Sequence, residues 1–484
     1  MVGMMRGIMG PGPSPRRAAR VAVAALLLFA AAFAIAARPD VAQASVGKGL
    51  IVSELDAISG DPGLKAGAVA EAANDLKAGW VRLAVSWAAL EPSRGVYSES
   101  ALANLDYSVN ELHARGVKLV LTFVYTPRWA SDSSFWDNPP GDHPTGYSVR
   151  YPIRDDALAD MGATAAMLAA RYAGLVNAYE CWNEPNLWPY IYPQRTASDE
   201  YFGASTYLKY LKAFSAGVKR GDSAALVVAG STGPVGQDDK LRTSPQKFAR
   251  FLAGAGAGAW FDVYSHHPYT PGGSVNKAPD RRPNDPSTTV TLWNLGRLLA
   301  LFPDKPFYLT EYGYNTHPSN DFGRMTVTKV QQATYLKKAY AYAGRFSQVK
   351  NLFWFLIRDA RPASGPAEAG VYTGLRESGG RRKLSWFAYA GRNRLTIAAP
   401  RSARYGAVIR VTGRLTNAVV GGVADRTLVL QARRKSGKTW RTVASTHTSS
   451  AGYYRLSVRP PGIRVYRVVW RGVKVSAKRT VWVY

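Results

Sequence analysis

Between residues 48 and 356, short apolar runs rich in β-branched and aromatic residues alternate with stretches whose apolar positions recur at helical spacing. The runs at 49–53, 80–85, 118–124, 175–182, 226–230, 261–266, 306–311 and 351–356 predict eight strands. Helical periodicity predicts helices at 64–78, 99–115, 156–172, 204–220, 245–253, 289–301 and 328–345, with a short closing helix at 384–392. The strand runs are nearly continuous in hydrophobicity rather than alternating, which suits a parallel sheet buried on both faces. Eight such strands with helices between them are the sequence form of an α/β fold, the (β/α)8 TIM barrel.

Beyond residue 393 the period shortens to two. Runs at 407–412, 427–432, 440–445, 453–458, 465–471 and 480–484 are separated by Gly-Lys, Ala-Gly and Pro-Pro-Gly turn signals. They predict a small all-β sandwich that resembles the immunoglobulin-like modules appended to secreted bacterial enzymes. A chain of 484 residues is long enough for a barrel plus such a module. The expected division is 1–44 as an export signal, 45–393 as the barrel and 394–484 as the sandwich.

The first segment carries Arg6, Arg16, Arg17 and Arg20 ahead of an apolar run at 21–37, followed by Ala42-Gln43-Ala44. That order is a bacterial signal peptide cleaved after Ala44, and it implies a secreted or cell-surface protein with no membrane span after cleavage. The alternative is an uncleaved anchor, since the 17-residue run is somewhat long for a signal core, although somewhat short for a bilayer span. Cys181 is the only cysteine, so no intrachain disulfide can form, and within an apolar run it reads as a packed thiol.

Charge is unevenly spread. Residues 401–484 hold 18 Lys and Arg against one acid, Asp425, a balance of +17 within the formal +29 of the chain. A basic module on an exported protein suggests anionic cell-wall polymers as partners rather than nucleic acid. The alternative is a compositional bias toward arginine with no partner.

Two predicted strands end in acids. One runs into Trp182-Asn183-Glu184-Pro185 and the other into Thr310-Glu311-Tyr312-Gly313. Pro185 cannot continue a ladder and biases Glu184 toward an extended backbone. Glu184 would end the fourth strand and Glu311 the seventh, across the barrel mouth from each other, at the ~5–5.5 Å separation of a retaining glycosidase. Partial desolvation and a negative neighbour would raise the pKa of Glu184 and make it the acid/base. Hydrogen bonds and a cation, best supplied by Arg82 on the second strand, would keep Glu311 ionised as nucleophile. Long loops after strands three, four and six carry Trp129, Phe135, Trp136, Tyr147, Trp188, Tyr190, Tyr192 and Tyr269, which could stack on sugars or pack the loops. His266 reads as a packing residue. No carboxylate or further His lies at ligand spacing from the His266-His267 pair, so neither a metal nor another cofactor is expected.

Taken in order, Val81-Arg82-Leu83 with Ser86-Trp87, then Trp182-Asn183-Glu184-Pro185, His267-Pro268-Tyr269 and Thr310-Glu311-Tyr312-Gly313 resemble the clan A glycoside hydrolases, families 5 and 39. The resemblance covers roughly residues 48–392. It implies a retaining glycosidase that cleaves β-O-glycosidic bonds of polysaccharide or oligosaccharide, with Glu184 as acid/base and Glu311 as nucleophile. It further implies that Asn183 binds the sugar 2-hydroxyl, that His267 and Tyr269 position the nucleophile end, and that Trp354 is an aromatic platform under the reacting sugar. Family 5 places a His near the end of the third strand. Here the chain reads Phe123-Val124-Tyr125-Thr126-Pro127-Arg128-Trp129, whose Thr-Pro-x-Trp segment is similar to family 39. The alternative to an enzyme is a glycan-binding or cell-wall-associated protein on the same scaffold.

Overall fold

A computed structural model describes residues 46–56, 61–136, 148–270, 277–318, 326–360, 370–417 and 421–484. The predicted export signal and Tyr147 lie outside the described residues. Among the described residues, no helix is long and apolar enough to cross a membrane.

Eight strands close into a barrel: β1 (Gly47–Ile51), β2 (Trp80–Ser86), β3 (Lys118–Val124), β4 (Ala178–Cys181), β5 (Leu226–Thr232), β6 (Val263–His266), β7 (Phe307–Tyr312) and β8 (Val349–Phe355). Every neighbouring pair is parallel, and β8 closes on β1. A helix follows each strand: α1 (Pro62–Ala70), α2 (Glu99–His113), α3 (Leu158–Arg171), α4 (Phe202–Gly221), α5 (Pro245–Gly254), α6 (Gly296–Leu299), α7 (Lys329–Ala343) and α8 (Leu384–Ala390). Their starts are set locally. Asp61 caps α1 ahead of Pro62, Ser98 caps α2, and Thr328 with Gln331 forms a capping box on α7.

The apolar side chains divide into two sets. Ile51, Val120, Ala178, Val228, Val263, Tyr308 and Phe353 fill the barrel interior, one from each strand except β2. The other set, including Leu50, Val81, Leu83, Leu119 and Leu309, packs outward under the helices. On β2 the interior position level with Ile51 and Val120 is taken by Arg82.

Two predicted elements differ. The helix expected over 289–301 is a 3-10 turn at Leu292–Asn294 followed by the single turn α6. The Asn294 carboxamide bonds back to the Thr291 and Thr289 backbone, offering the chain a local alternative to a longer helix. The fourth strand is shorter than 175–182, because the Leu175 and Val176 N–H groups bond back to Tyr172 O in the turn at Gly174, and Trp182 leaves the ladder with φ 69° after it.

From Asn393 onward the chain forms a β-sandwich. Its larger sheet has the order β10 (Ser402–Ala403), β18 (Arg479–Val483), β16 (Arg464–Trp470), β13 (Thr427–Arg434), β14 (Arg441–His447), with β17 (Lys474–Val475) beside β16. The smaller sheet joins β9 (Asn393–Leu395), β11 (Ile409–Asn417), β12 (Gly421–Gly422) and β15 (Tyr453–Val458). Trp470 at the end of β16 packs on Phe387 of α8 at 5.0 Å, and Lys337 of α7 donates to the Val473 carbonyl. One apolar cluster therefore runs from the helices into the sandwich.

Candidate active site

The carboxyl-terminal ends of β3, β4 and β5 share an unusual backbone. Tyr125, Trp182, Glu184 and Ser231 have φ of 74°, 69°, 36° and 45°. A non-glycine residue in this region costs on the order of 1–3 kcal/mol. The expectation of an extended Glu184 is thus corrected. Its N–H donates to Ser231 O and its carbonyl accepts from Leu187 N–H, both at 2.9 Å, and this turn overrides the bias from Pro185. Asn186 locks the turn to the next loop, donating to Gly233 O and Thr243 O and accepting from Gly233 N–H. At Gly233 a Cβ would sit 2.6 Å from the Leu187 side chain and 3.1 Å from the Glu184 carboxyl, so any side chain there would have to push both aside.

Arg82 organises the centre from inside the barrel. Its Nε donates to Glu180 Oε2 at 2.6 Å, Nη1 to Glu311 Oε1 at 2.8 Å, and Nη2 to Asn183 Oδ1 at 2.8 Å. Glu180 is completely buried and also accepts from Thr122 and Ser265 hydroxyls at 2.7 and 2.8 Å. Burial works to raise the pKa of Glu180, but Arg82 and the two hydroxyls more than offset it, and the group lies below the ordinary range. One cation therefore faces two carboxylates, one structural and one at the cleft. Because Arg82 takes the Asn183 carbonyl oxygen, the amide nitrogen is the donor left for Tyr190 or a ligand hydroxyl.

Glu311, at the tip of β7, also accepts from the Tyr269 hydroxyl at 3.0 Å. Burial together with Glu311 and Glu184 pushes the Tyr269 phenol well up, so it remains a donor at any physiological pH. His267 Nδ1 lies 3.0 Å from Glu184 Oε1, and Nε2 lies 3.1 Å from both Ser231 and Thr310 hydroxyls. Burial lowers the His267 pKa to about 4, so the ring is neutral and its contact with Glu184 is a hydrogen bond. His266 packs as expected, with Nε2 donating to Val290 O and Nδ1 accepting from Thr232.

Burial raises the Glu184 pKa from 4.5 to about 7, against a lowering pull from Arg82. The upward shift is thus one of desolvation, and the expected negative neighbour does not contribute to it. The folded state holds this proton more tightly than the unfolded chain does. Stability accordingly falls as pH rises from about 4.5 to about 7, by up to about 3 kcal/mol. Glu184→Gln is therefore expected to raise stability at pH 8 by about 1–3 kcal/mol and to leave it nearly unchanged at pH 4. Thermal unfolding at the two pH values checks this, and an equal shift at both would contradict it.

One oxygen each from Glu184 and Glu311 and one nitrogen of His267 all lie within 4.8 Å of one another. The expectation that His267 lacks carboxylates at ligand spacing is corrected, because folding brings two acids to it that are remote in sequence. The trio has the spacing of a cation site as well as that of an acid pair. Arg82 and Tyr269 already engage both oxygens of Glu311, which suits the acid pair.

The acids open into a cleft of about 930 Å³. Arg82, Asn183, Glu184, Tyr269 and Glu311 line it, together with Tyr125, Trp188, Tyr190 and Phe355. Trp354 does not. Its ring is fully buried against Tyr312 and its indole N–H donates to Thr373 O, so the platform expected there is corrected. The adjacent Phe355 lines the cleft instead, because successive strand residues face opposite sides. Trp129 and Trp136 are packing residues bonded to Glu91 O and Ser131 Oγ.

Sequence reasoning missed Glu180, Asp56 and Phe355. Asp56 lines the cleft, accepts from Ala84 N–H at 2.7 Å, and is pushed by burial to about 7. Glu180 carried a signal: an acid two positions inside an apolar run must find a buried cation, and Arg82 sits inside another. Asp56 carried none, since it follows its strand in an unremarkable polar loop.

No protein-family model matches the chain, and no curated protein matches it. Solved structures do. A GH5_18 protein from Streptomyces cattleya, in complex with GlcNAc, is 15% identical, with a TM-score of 0.52 over 72% of this chain and 79% of that one. A Glu→Ala variant of GH5_18 from the same organism, in complex with Manb1-4GlcNAc, is 16% identical, with a TM-score of 0.53 over 75% and 86%. A GH5_18 variant from Bifidobacterium longum subsp. longum, with the same ligand, is 13% identical, with a TM-score of 0.51 over 71% and 77%. At these identities the likeness is one of fold.

Proposed function

We propose that this chain is a retaining glycoside hydrolase that cleaves β-O-glycosidic bonds with Glu184 and Glu311. One observation carries the reading. Two carboxyl groups with oxygens within 4.8 Å of each other face one cleft, Glu184 with its proton held by burial and Glu311 bonded to Arg82 and Tyr269. Oxygens this close leave no room for a water between the Glu311 carboxylate and the sugar, which favours double displacement over single inversion.

In the first step the Glu311 carboxylate attacks the anomeric carbon while Glu184 gives its proton to the departing oxygen. A glycosyl ester forms on Glu311 and the aglycone leaves as an alcohol. Esterification removes the Glu311 charge, and Glu184 now takes a proton from water. The resulting hydroxide attacks the same carbon and Glu311 leaves as carboxylate, so configuration is retained overall. His267 Nδ1 holds Glu184 Oε1, which leaves Oε2 to carry the proton that passes to the departing oxygen and is regained from water. Trp188, Tyr190 and Phe355 offer faces for sugar C–H groups, and Asn183 offers a donor to the ring hydroxyls. The basic leader at 6–20 and apolar run at 21–37 support placing this reaction outside the cell.

Glu184 must be protonated for the first step, so kcat/KM is expected to fall above a pH of about 7 as that proton is lost. A profile flat through pH 9 would remove Glu184 from the acid role. The direct test is purified protein with a panel of aryl β-glycosides, following the product anomer by NMR. A β-configured first product supports the proposal. An α product, or inert protein that binds glycan equally well with and without both acids, favours inversion or the binding scaffold instead.

A further inference from the structure

The sandwich holds an excess of positive charge that nothing in it neutralises. Among the described residues, none of its Lys or Arg side chains is in an ion pair. Its one acid, Asp425, lies beside Arg381 at the junction with the barrel.

The charge converges at one place. A groove of about 660 Å³ opens where the β13–β14 hairpin meets the β15–β16 connection, and Arg433, Arg434, Lys438, Arg441, Arg459 and Arg464 line it. No carboxylate is among its lining residues. Arg434 and Arg464 are direct cross-strand partners in register, and like charges so placed destabilise a sheet. The groove sits at the Arg464 end of β16, while Trp470 at the other end packs on the barrel. Six steps along the strand separate the two ends by roughly 20 Å, so the groove lies at the end of β16 remote from the junction.

We propose that this groove binds a linear polyanionic glycan, a sugar or polyol chain bearing repeated uronate carboxylates or phosphodiesters. Five of its six cations are arginines, whose planar forks match the oxyanions of either group. A bound anion would offset the Arg434–Arg464 repulsion. Nucleic acid fits less well. The only aromatic lining residue, Tyr466, is 1% exposed, and Trp440 nearby lies between Arg433 and Arg467, so no ring is presented to a base. The site is separate from the acid pair, and the proposal stands or falls independently of the hydrolase reading.

The test is binding of the full chain to polygalacturonate, to poly(glycerol phosphate), to neutral dextran and to duplex DNA. Titrations run from about 50 mM to about 500 mM NaCl, a range over which exposed charges become screened. Binding to one or both anionic glycans, weakened at least ten-fold by salt, is expected, and the first two arms separate carboxylate from phosphodiester recognition. Arg441→Glu with Arg464→Glu should weaken it at least ten-fold. The charge-matched pair Arg471→Glu with Lys474→Glu, at the opposite end of β16, should change it less than two-fold. If the glutamate pair unfolds, Arg441→Gln with Arg464→Gln replaces it, with the same direction expected. Equal retention on dextran, tighter binding to DNA, salt-insensitive binding, or equal losses in both charge-matched pairs would each overturn the proposal.

Discussion

Glu311→Gln is expected to abolish turnover of an aryl β-glycoside, lowering kcat on the order of 10⁴–10⁶-fold, the range seen when a nucleophile is removed from a covalent mechanism. The amide keeps the size of the side chain and can still meet Arg82 and Tyr269, so the loss is chemical rather than a collapse of the cleft. Glu184→Gln should cost less, about 10²–10⁴-fold, and less again for leaving groups acidic enough to depart unprotonated. Small anions separate the two roles. In Glu184→Ala, azide can attack the glycosyl ester and give a β-glycosyl azide. In Glu311→Ala, azide can occupy the vacated side of the sugar and give the α-glycosyl azide. If the azide products had the opposite configurations, the two assignments would be exchanged.

Arg82→Met is expected to destabilise the fold by about 3–5 kcal/mol, because Glu180 would remain fully buried with no cation beside it. The same change frees Glu311 from its partner, so activity should fall as well. A second substitution separates stability from chemistry. In the Arg82→Met, Glu180→Gln double variant the buried charge is gone, and at least half of the lost stability should return while activity stays low. Denaturant unfolding and aryl-glycoside assays read both quantities. A single variant as stable as the parent would mean that Glu180 finds its compensation elsewhere.

How much of this was legible depended on whether a signal was local. β3 is predicted residue for residue, since an apolar run bounded by Gly116 and Tyr125 leaves little freedom in where it pairs. Both acids were visible because each ends an apolar run, and a charge at the end of a buried strand has to face either solvent or a site. Arg82 was visible as a nearby cation, but its second carboxylate was not singled out. Pairing Glu180 with Arg82 needs knowledge of which interior positions share a level of the barrel. Trp354 and Phe355 show the limit of pattern reading. Adjacent strand residues face opposite sides, so a choice between them turns on register, which the eighth run alone does not set. The short α6 was missed because side-chain bonds from Asn294 compete with a helix that the apolar spacing allows.

Among the described residues, β14 has one ladder partner, β13, with β15 alongside it but unpaired. Its other backbone rim is the kind of template on which two molecules can zip together into aggregates. Any second copy approaching along that rim would bring another strongly cationic module against Arg441 and its neighbours. Mutual repulsion thus guards the open flank of the sheet in dilute salt, and colloidal stability should decline as added electrolyte weakens that guard.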